Sequence, residues 1–108
     1  EVRGPEAIAL AARLGAELGA DFIKAPYCDD YGRVTSSTFA PVVILGGAKG
    51  DERRMLGNIR SAIDSGAKGV AIGRNVFQCD DPTAMTRAIV AIVHDEATVD
   101  DALGILAG

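Results

Sequence analysis

The sequence predicts an α/β fold with a parallel sheet, and two observations support this prediction. Short apolar runs alternate with helical patterns along the whole chain. The apolar runs lack the alternation of polar and apolar residues seen in half-exposed strands, as is typical of parallel strands that are covered on both faces. Each run also ends at a glycine or a polar cluster. The length of 108 residues favours a single domain, residues 1–108.

The first part of the chain predicts one helix and one strand. Pro5 suits a first helical turn, apolar residues recur at helical spacing, and Gly19 ends the pattern, so we expect a helix over residues 5 to 19. The apolar run over residues 21 to 27 predicts a strand, which a proline and the polar residues after it bring to an end. Residues 31 to 40 are rich in Ser and Thr and indicate only a short helix or a turn.

The remaining sequence predicts two strands and three helices. Asp81 before Pro82 is typical of a helix start, and Thr98 with Asp101 three residues later resembles a capping box. The expected elements are a strand at residues 42 to 45, a helix at 51 to 65 stopped by a glycine, a strand at 69 to 72, a helix from 82 to about 94, and a short helix to about 106.

The composition argues against several classes of function. Net charge is −4, there is no Trp, only five residues are Phe or Tyr, and no basic run is present, so we expect no nucleic-acid partner. No apolar run approaches the ~18 residues of a membrane helix, so we expect no membrane partner. Cys28 and Cys79 form neither a metal spacing nor a disulfide framework, and His94 is the single histidine. We therefore expect free thiols in a cytoplasmic protein, with no metal and no cofactor.

Lys24 is the candidate nucleophile, because it lies in the middle of an apolar strand. Strand alternation places it on the same face as Phe22 and Pro26. Burial favours the neutral form of a lysine amine, and the neutral amine is the form that attacks a carbonyl carbon. The alternative interpretation is a lysine at a surface-facing or ion-paired position of the strand.

Two glycine-containing turns form the second candidate site. Gly46 and Gly47 follow the second predicted strand, Gly73 and Arg74 follow the third, and both pairs precede helices. Backbone at a glycine can approach a ligand closely, and its amide N–H groups can point at an anion. A guanidinium adds a bidentate contact to phosphate. We therefore expect a phosphate site, and the alternative is two tight turns with Arg74 in solvent.

Three stretches of the sequence resemble one enzyme family. They read GADFIK at residues 19–24, PVVILGGAK at 41–49, and GAKGVAIGRNVFQ at 66–78. The chain resembles the archaeal-type class I aldolases, a group that includes fructose-bisphosphate aldolase, 2-amino-3,7-dideoxy-heptulosonate synthase and autoinducer-2-phosphate thiolase. The resemblance extends over essentially all of the chain.

The resemblance implies a (β/α)₈ or TIM barrel, of which this chain matches strands six to eight and their helices. It implies that Lys24 is the Schiff-base lysine of strand six, and that Gly46, Gly47, Gly73 and Arg74 bind a substrate phosphate. In such barrels the loops after the last two strands commonly form a phosphate site. The acid and the tyrosine that work beside the lysine in this family belong to strands one to five, which this chain does not match.

The expected function is a metal-independent class I aldolase, or a related transferase, acting on a phosphorylated sugar or ketose. One alternative is a barrel isomerase or synthase that binds phosphate without covalent lysine catalysis. Another is a barrel fragment or subunit that only binds phosphate. Three strands cannot close a barrel and leave sheet edges unpaired, so we also expect a homo-oligomer or association with the missing barrel half.

Overall fold

A three-stranded parallel sheet organises the chain. The computed structural model describes residues 4–46 and 50–108. The strands are β1 (Ile23–Pro26), β2 (Val42–Leu45) and β3 (Gly69–Ala71), in the spatial order β1-β2-β3. The helices are α1 (Pro5–Glu17), α2 (Tyr31–Thr35), α3 (Glu52–Asp64), α4 (Arg74–Phe77), α5 (Pro82–Asp95) and α6 (Val99–Ala107). Both strand pairs are parallel, which confirms the predicted class.

The two faces of the sheet have different surroundings. Ala25, Val42 and Ile44 point to one face and are only 2–4% exposed, because the helices pack against them. Lys24 and Val43 alternate with these residues along the strands, and Lys24 is exposed while Val43 is half-buried. The helices of the described residues therefore cover one face of the sheet, which we call the covered face, and leave the other, the open face, accessible.

The core lies between the covered face and the longer helices. Leu56 and Ile59 of α3 and Ile92 of α5 are completely buried in it. The half-buried Arg60 of α3 donates hydrogen bonds to the backbone carbonyls of Ile92, at 3.2 Å, and Ala97, at 2.9 Å. Carbonyls near a helix end have no partner within the helix, so this guanidinium satisfies two of them and joins α3 to the end of α5.

The predicted helix ends are confirmed at several places. Gly19 and Gly66 follow α1 and α3 with φ angles of +103° and +108°, in the left-handed region that favours glycine. The Asp81 carboxylate accepts a hydrogen bond from the Ala84 amide at 3.1 Å, and Thr98 forms the predicted capping box with its acidic partner. Among residues 4–46 and 50–108, no helix is both long and apolar enough to cross a bilayer.

Two short helices occur where the sequence indicated a helix only weakly or not at all. α2 occupies the first half of the segment predicted only as a short helix or turn, and α4 begins directly after Gly73. β1 is shorter than the predicted strand, because its pairing with β2 begins where Ile23 lies opposite Val42. Helices of four or five residues have little stability of their own, so packing with the rest of the protein maintains them.

Candidate functional site

Lys24 lies on the open face, in the middle of β1. Its Cα atom is opposite that of Val43 on β2, which in turn is opposite Gly69 on β3. The lysine side chain is exposed and forms no ion pair or hydrogen bond with any residue that the structure describes. Within the described chain the amine is therefore accessible rather than buried, as the surface-facing alternative expects, and it is not ion-paired. The burial that was expected to favour its neutral form is not provided by these residues, and its role as a nucleophile stays a prediction.

Two tyrosines hold the segment that carries the lysine. The buried Tyr31 hydroxyl donates a 3.1 Å hydrogen bond to the carbonyl of Ala25, the residue after Lys24. Burial raises the pKa of Tyr31 well above its usual range, and the nearby Cys28 adds to this effect, so the hydroxyl remains a donor. The Tyr27 ring stacks on it with centroids 5.5 Å apart. Both contacts restrict the carboxyl end of β1.

Gly46, at the carboxyl end of β2, is packed so closely that no side chain fits. A Cβ atom at this position would lie 2.9 Å from Cγ2 of Ile72 and 3.0 Å from Nδ2 of Asn75. Contacts this short require the neighbouring atoms to move. The structure thereby packs the end of β2 against the segment that follows β3. A phosphate site formed by the two predicted glycine turns requires this proximity. Gly47 lies outside the described residues.

Gly73 and Arg74 begin the short helix α4 directly beyond β3. The Gly73 carbonyl accepts hydrogen bonds from the amides of Val76, at 2.9 Å, and Phe77, at 3.0 Å. A Cβ atom at Gly73 would make only an ordinary 3.5 Å contact, so the fold itself does not demand glycine here. The Arg74 side chain is exposed and is not ion-paired with any described residue, so its guanidinium is available to a ligand.

A cleft of about 710 Å³ opens at the carboxyl ends of the strands. Pro26 contributes to its wall from the strand that carries Lys24, and Gly46 contributes from just beyond β2. Lys24, Gly73 and Arg74 do not line it. Arg54 of α3 also lines the cleft and forms no ion pair or hydrogen bond within residues 4–46 and 50–108. The cleft therefore lies next to the predicted site, at the edge of the sheet where parallel strands present ligand-binding loops.

Cys28 lies near the lysine strand but is a poor competing nucleophile. Burial of the thiol raises the pKa of Cys28, and the carboxylates of Asp29 and Asp30 raise it further. A thiol is reactive as the thiolate, so this environment disfavours the reactive form of Cys28. In the part of the chain that the structure describes, no three His, Cys, Asp or Glu side chains are grouped closely enough to hold a metal ion.

Asn75 is the residue of the site that the sequence did not single out. Only 4% of it is exposed, and it is the one buried polar residue among those the structure describes. The sequence offered a weak signal, because Asn75 directly follows Arg74 within a stretch that resembles the aldolases. Its side chain lies close to Gly46, which is distant in sequence, and no local pattern indicates such proximity.

The sequence matches a known family over most of its length. The model of the DeoC/LacD family aldolases matches residues 1–79, which include Lys24 and all three strands. The chain belongs to the DeoC/LacD aldolase family. This confirms the resemblance to aldolases that the three sequence stretches indicated.

Individual relatives give the same result. The chain is 42% identical over 98 residues to 2-amino-3,7-dideoxy-D-threo-hept-6-ulosonate synthase 1 of Archaeoglobus fulgidus, covering 91% of this chain and 38% of that protein. It is 44% identical over 102 residues to 3-hydroxy-5-phosphonooxypentane-2,4-dione thiolase of Shigella flexneri, covering 94% of this chain and 40% of that protein. The chain thus spans about two fifths of the length of these relatives.

Solved structures extend the likeness to the fold. A Schiff-base-forming fructose-1,6-bisphosphate aldolase superposes with a TM-score of 0.82 at 34% identity, over 87% of this chain and 40% of that one. The structural neighbours are TIM-barrel aldolases, and the parallel sheet with its helices matches part of such a barrel. The predicted fold, a partial (β/α)₈ barrel, is confirmed.

Proposed function

We propose that this chain provides the nucleophile and the phosphate-binding turns of a class I aldolase that acts on a phosphorylated ketose. Lys24 is the proposed nucleophile, and Gly46, Gly47, Gly73 and Arg74 are the proposed phosphate ligands. The proposal includes enzymes that use the same covalent chemistry for transfer rather than cleavage. It applies to the complete enzyme, of which this chain resembles the last three barrel strands.

The position of Lys24 is the observation that supports this proposal most directly. A free amine stands on the open face of a parallel sheet, and the barrel fold turns that face toward the interior. Along β2, Gly46 lies three residues beyond the position opposite Lys24. At about 3.3 Å per residue, roughly 10 Å separates the two levels of the sheet. A ketose phosphate can bridge this interval, with its carbonyl near the amine and its phosphate near the turns.

The exposed guanidinium and the glycine turn provide the chemistry of phosphate recognition. Backbone amides at the ends of parallel strands can donate to phosphate oxygens, and Arg74 can add charge-assisted hydrogen bonds. The name of the Shigella flexneri relative describes a phosphonooxy compound, which agrees with a phosphate site in this family. The phosphate then anchors one end of the substrate and orients its carbonyl group toward the lysine.

The lysine amine forms a covalent intermediate in this mechanism. The neutral Nζ atom of Lys24 adds to the ketose carbonyl carbon, the carbonyl oxygen becomes a hydroxyl, and loss of water gives an iminium ion. The iminium accepts the electron pair released when the bond between the α and β carbons of the substrate breaks, which gives an enamine, while the β-hydroxyl loses its proton and that fragment leaves as an aldehyde. Protonation and hydrolysis then release the product and regenerate the amine. The solved aldolase with 34% identity is described as Schiff-base-forming, which supports the same step here.

Reductive trapping of the complete enzyme tests the proposal. Borohydride added with a ketose phosphate is expected to reduce the iminium and attach the substrate irreversibly to the peptide that carries Lys24, which mass spectrometry detects. EDTA is expected to leave turnover unchanged. Lys68→Arg is a matched control, because Lys68 is exposed at the opposite, amino end of β3. This variant should be labelled as fully as the parent enzyme.

Each alternative gives a different result in the same experiment. Labelling at Lys49 or Lys68 would refute the assignment of Lys24 but retain the covalent mechanism. Phosphate binding without any labelling would favour a barrel enzyme or a binding subunit that does not use a covalent lysine. Loss of turnover with EDTA, together with no labelling, would refute the class I assignment.

A further inference from the structure

We propose that Asn75 is a positioning residue that holds the two phosphate-binding turns in register. The inference rests on the proposed phosphate site and adds a residue to it. Asn75 is not expected to touch the substrate carbonyl. Its role is to fix Gly46, after β2, relative to Gly73 and Arg74, after β3.

The burial of Asn75 is the first supporting observation. A carboxamide that is only 4% exposed is costly unless its polar atoms are hydrogen-bonded. Among the described residues, no buried side-chain nitrogen or oxygen atom lacks a hydrogen-bond partner, and Asn75 is not free of interactions. A satisfied, buried carboxamide has a defined orientation, so this side chain can act as a rigid spacer.

The contact with Gly46 is the second observation. The Nδ2 atom of Asn75 lies 3.0 Å from the position that a Cβ atom of Gly46 would occupy. The end of β2 and the first turn of α4 therefore meet at this carboxamide and at the side chain of Ile72, next to the exposed Arg74. If the carboxamide is lost, the two turns can move apart, and a phosphate held by both loses part of its binding energy.

A similar arrangement at the opposite end of the sheet supplies a control. Gly66 precedes β3, and a Cβ atom there would lie 2.9 Å from the Thr35 Oγ1 atom. That hydroxyl donates a 2.6 Å hydrogen bond to the Ser65 carbonyl. Thr35→Val therefore removes a polar contact beside a glycine turn without approaching the carboxyl ends of the strands. It should lower stability but leave phosphate affinity unchanged.

The experiment compares inorganic phosphate binding by calorimetry in the complete enzyme and its variants. Asn75→Ala and Asn75→Asp are expected to weaken phosphate binding about tenfold, the effect of losing one well-placed hydrogen-bonded contact. KM for the phosphorylated ketose should rise by a similar factor, while kcat and borohydride labelling of Lys24 at saturating substrate stay near the parent values. An unphosphorylated analogue should show no change in KM.

The second Asn75 variant makes the result decisive. Asn75→Asp preserves the side-chain volume, so a folding defect in Asn75→Ala alone does not obscure the outcome. If these variants bind phosphate as the parent does, or if Thr35→Val weakens binding equally, Asn75 has no positioning role. If Arg74→Ala also leaves phosphate affinity unchanged, the proposed phosphate site fails and the role of Asn75 fails with it. If Arg74→Ala weakens phosphate binding and the Asn75 variants do not, the proposed phosphate site stands and only the role of Asn75 is refuted.

Discussion

The covered and open faces of the sheet are built from neighbouring residues of the same short strands, yet one face is part of the core and the other carries an exposed amine. On the covered face, Ala25, Val42 and Ile44 are almost completely buried against helices. On the open face, Lys24 is exposed, although its neighbours on either side in β1 point toward the core. One face is completed within the described chain, and the other requires contacts that this part of the chain does not make.

This difference suggests a division of roles between the two faces. Residues on the covered face determine whether the sheet and helices stay folded, because removal of buried apolar atoms leaves cavities. The Lys24 side chain forms no ion pair or hydrogen bond with the described chain, so the fold of these residues does not require a lysine at this position. Substitutions on the two faces should therefore separate catalysis from stability.

The largest effect is expected on the open face. Lys24→Arg in the complete enzyme should abolish borohydride labelling and reduce turnover by at least about 10³-fold, because a guanidinium stays protonated and is not a nucleophile. The melting temperature should stay close to that of the parent. Lys24→Ala should also prevent labelling while phosphate still binds. Residual turnover near the parent level in either variant would contradict the role of Lys24.

The next largest effect is expected in the core against the covered face. Leu56 is completely buried on α3. Leu56→Ala should lower the free energy of unfolding by about 2–5 kcal/mol, measured by denaturant titration of the complete enzyme. Labelling of Lys24 at saturating substrate should persist below the new melting temperature. A decrease in the free energy of unfolding of well under 1 kcal/mol would contradict the inference that packing against the covered face stabilises the fold.

The covered face and the helices that pack on it are also the part of the fold that the sequence predicted best. Apolar runs, the stop signals at Gly19 and Gly66, and the caps at Asp81 and Thr98 are local features, and the structure confirms the elements that they delimit. Such features act within a few residues of one another. A single sequence therefore contains enough information to locate the strands and the longer helices.

The open face and the strand ends were harder to predict, because their properties depend on distant segments. The exposure of Lys24 depends on which segments cover each face of the sheet, and strand alternation does not indicate this. α2 is held by the contact of Tyr31 with Ala25 and by the hydrogen bond from Thr35 to Ser65. Neither contact has a signal in the pattern of residues 31 to 40. The roles of Lys24 and of the glycine turns remain predictions.

The smallest of these three effects concerns Arg74, which lies beyond the carboxyl end of β3. Its exposed guanidinium should contribute a charge-assisted hydrogen bond to the substrate phosphate, and loss of such a bond costs about 1.5–3 kcal/mol. Arg74→Ala should therefore raise KM for a phosphorylated ketose about 10- to 150-fold, as steady-state kinetics of the complete enzyme would show. Arg87→Ala, which removes an exposed arginine from α5, is the control and should leave KM unchanged. An equal rise in KM for an unphosphorylated analogue would show that Arg74 contacts a group other than phosphate. The proposed separation between an amine on the open face and an anion site at the strand ends would then be wrong.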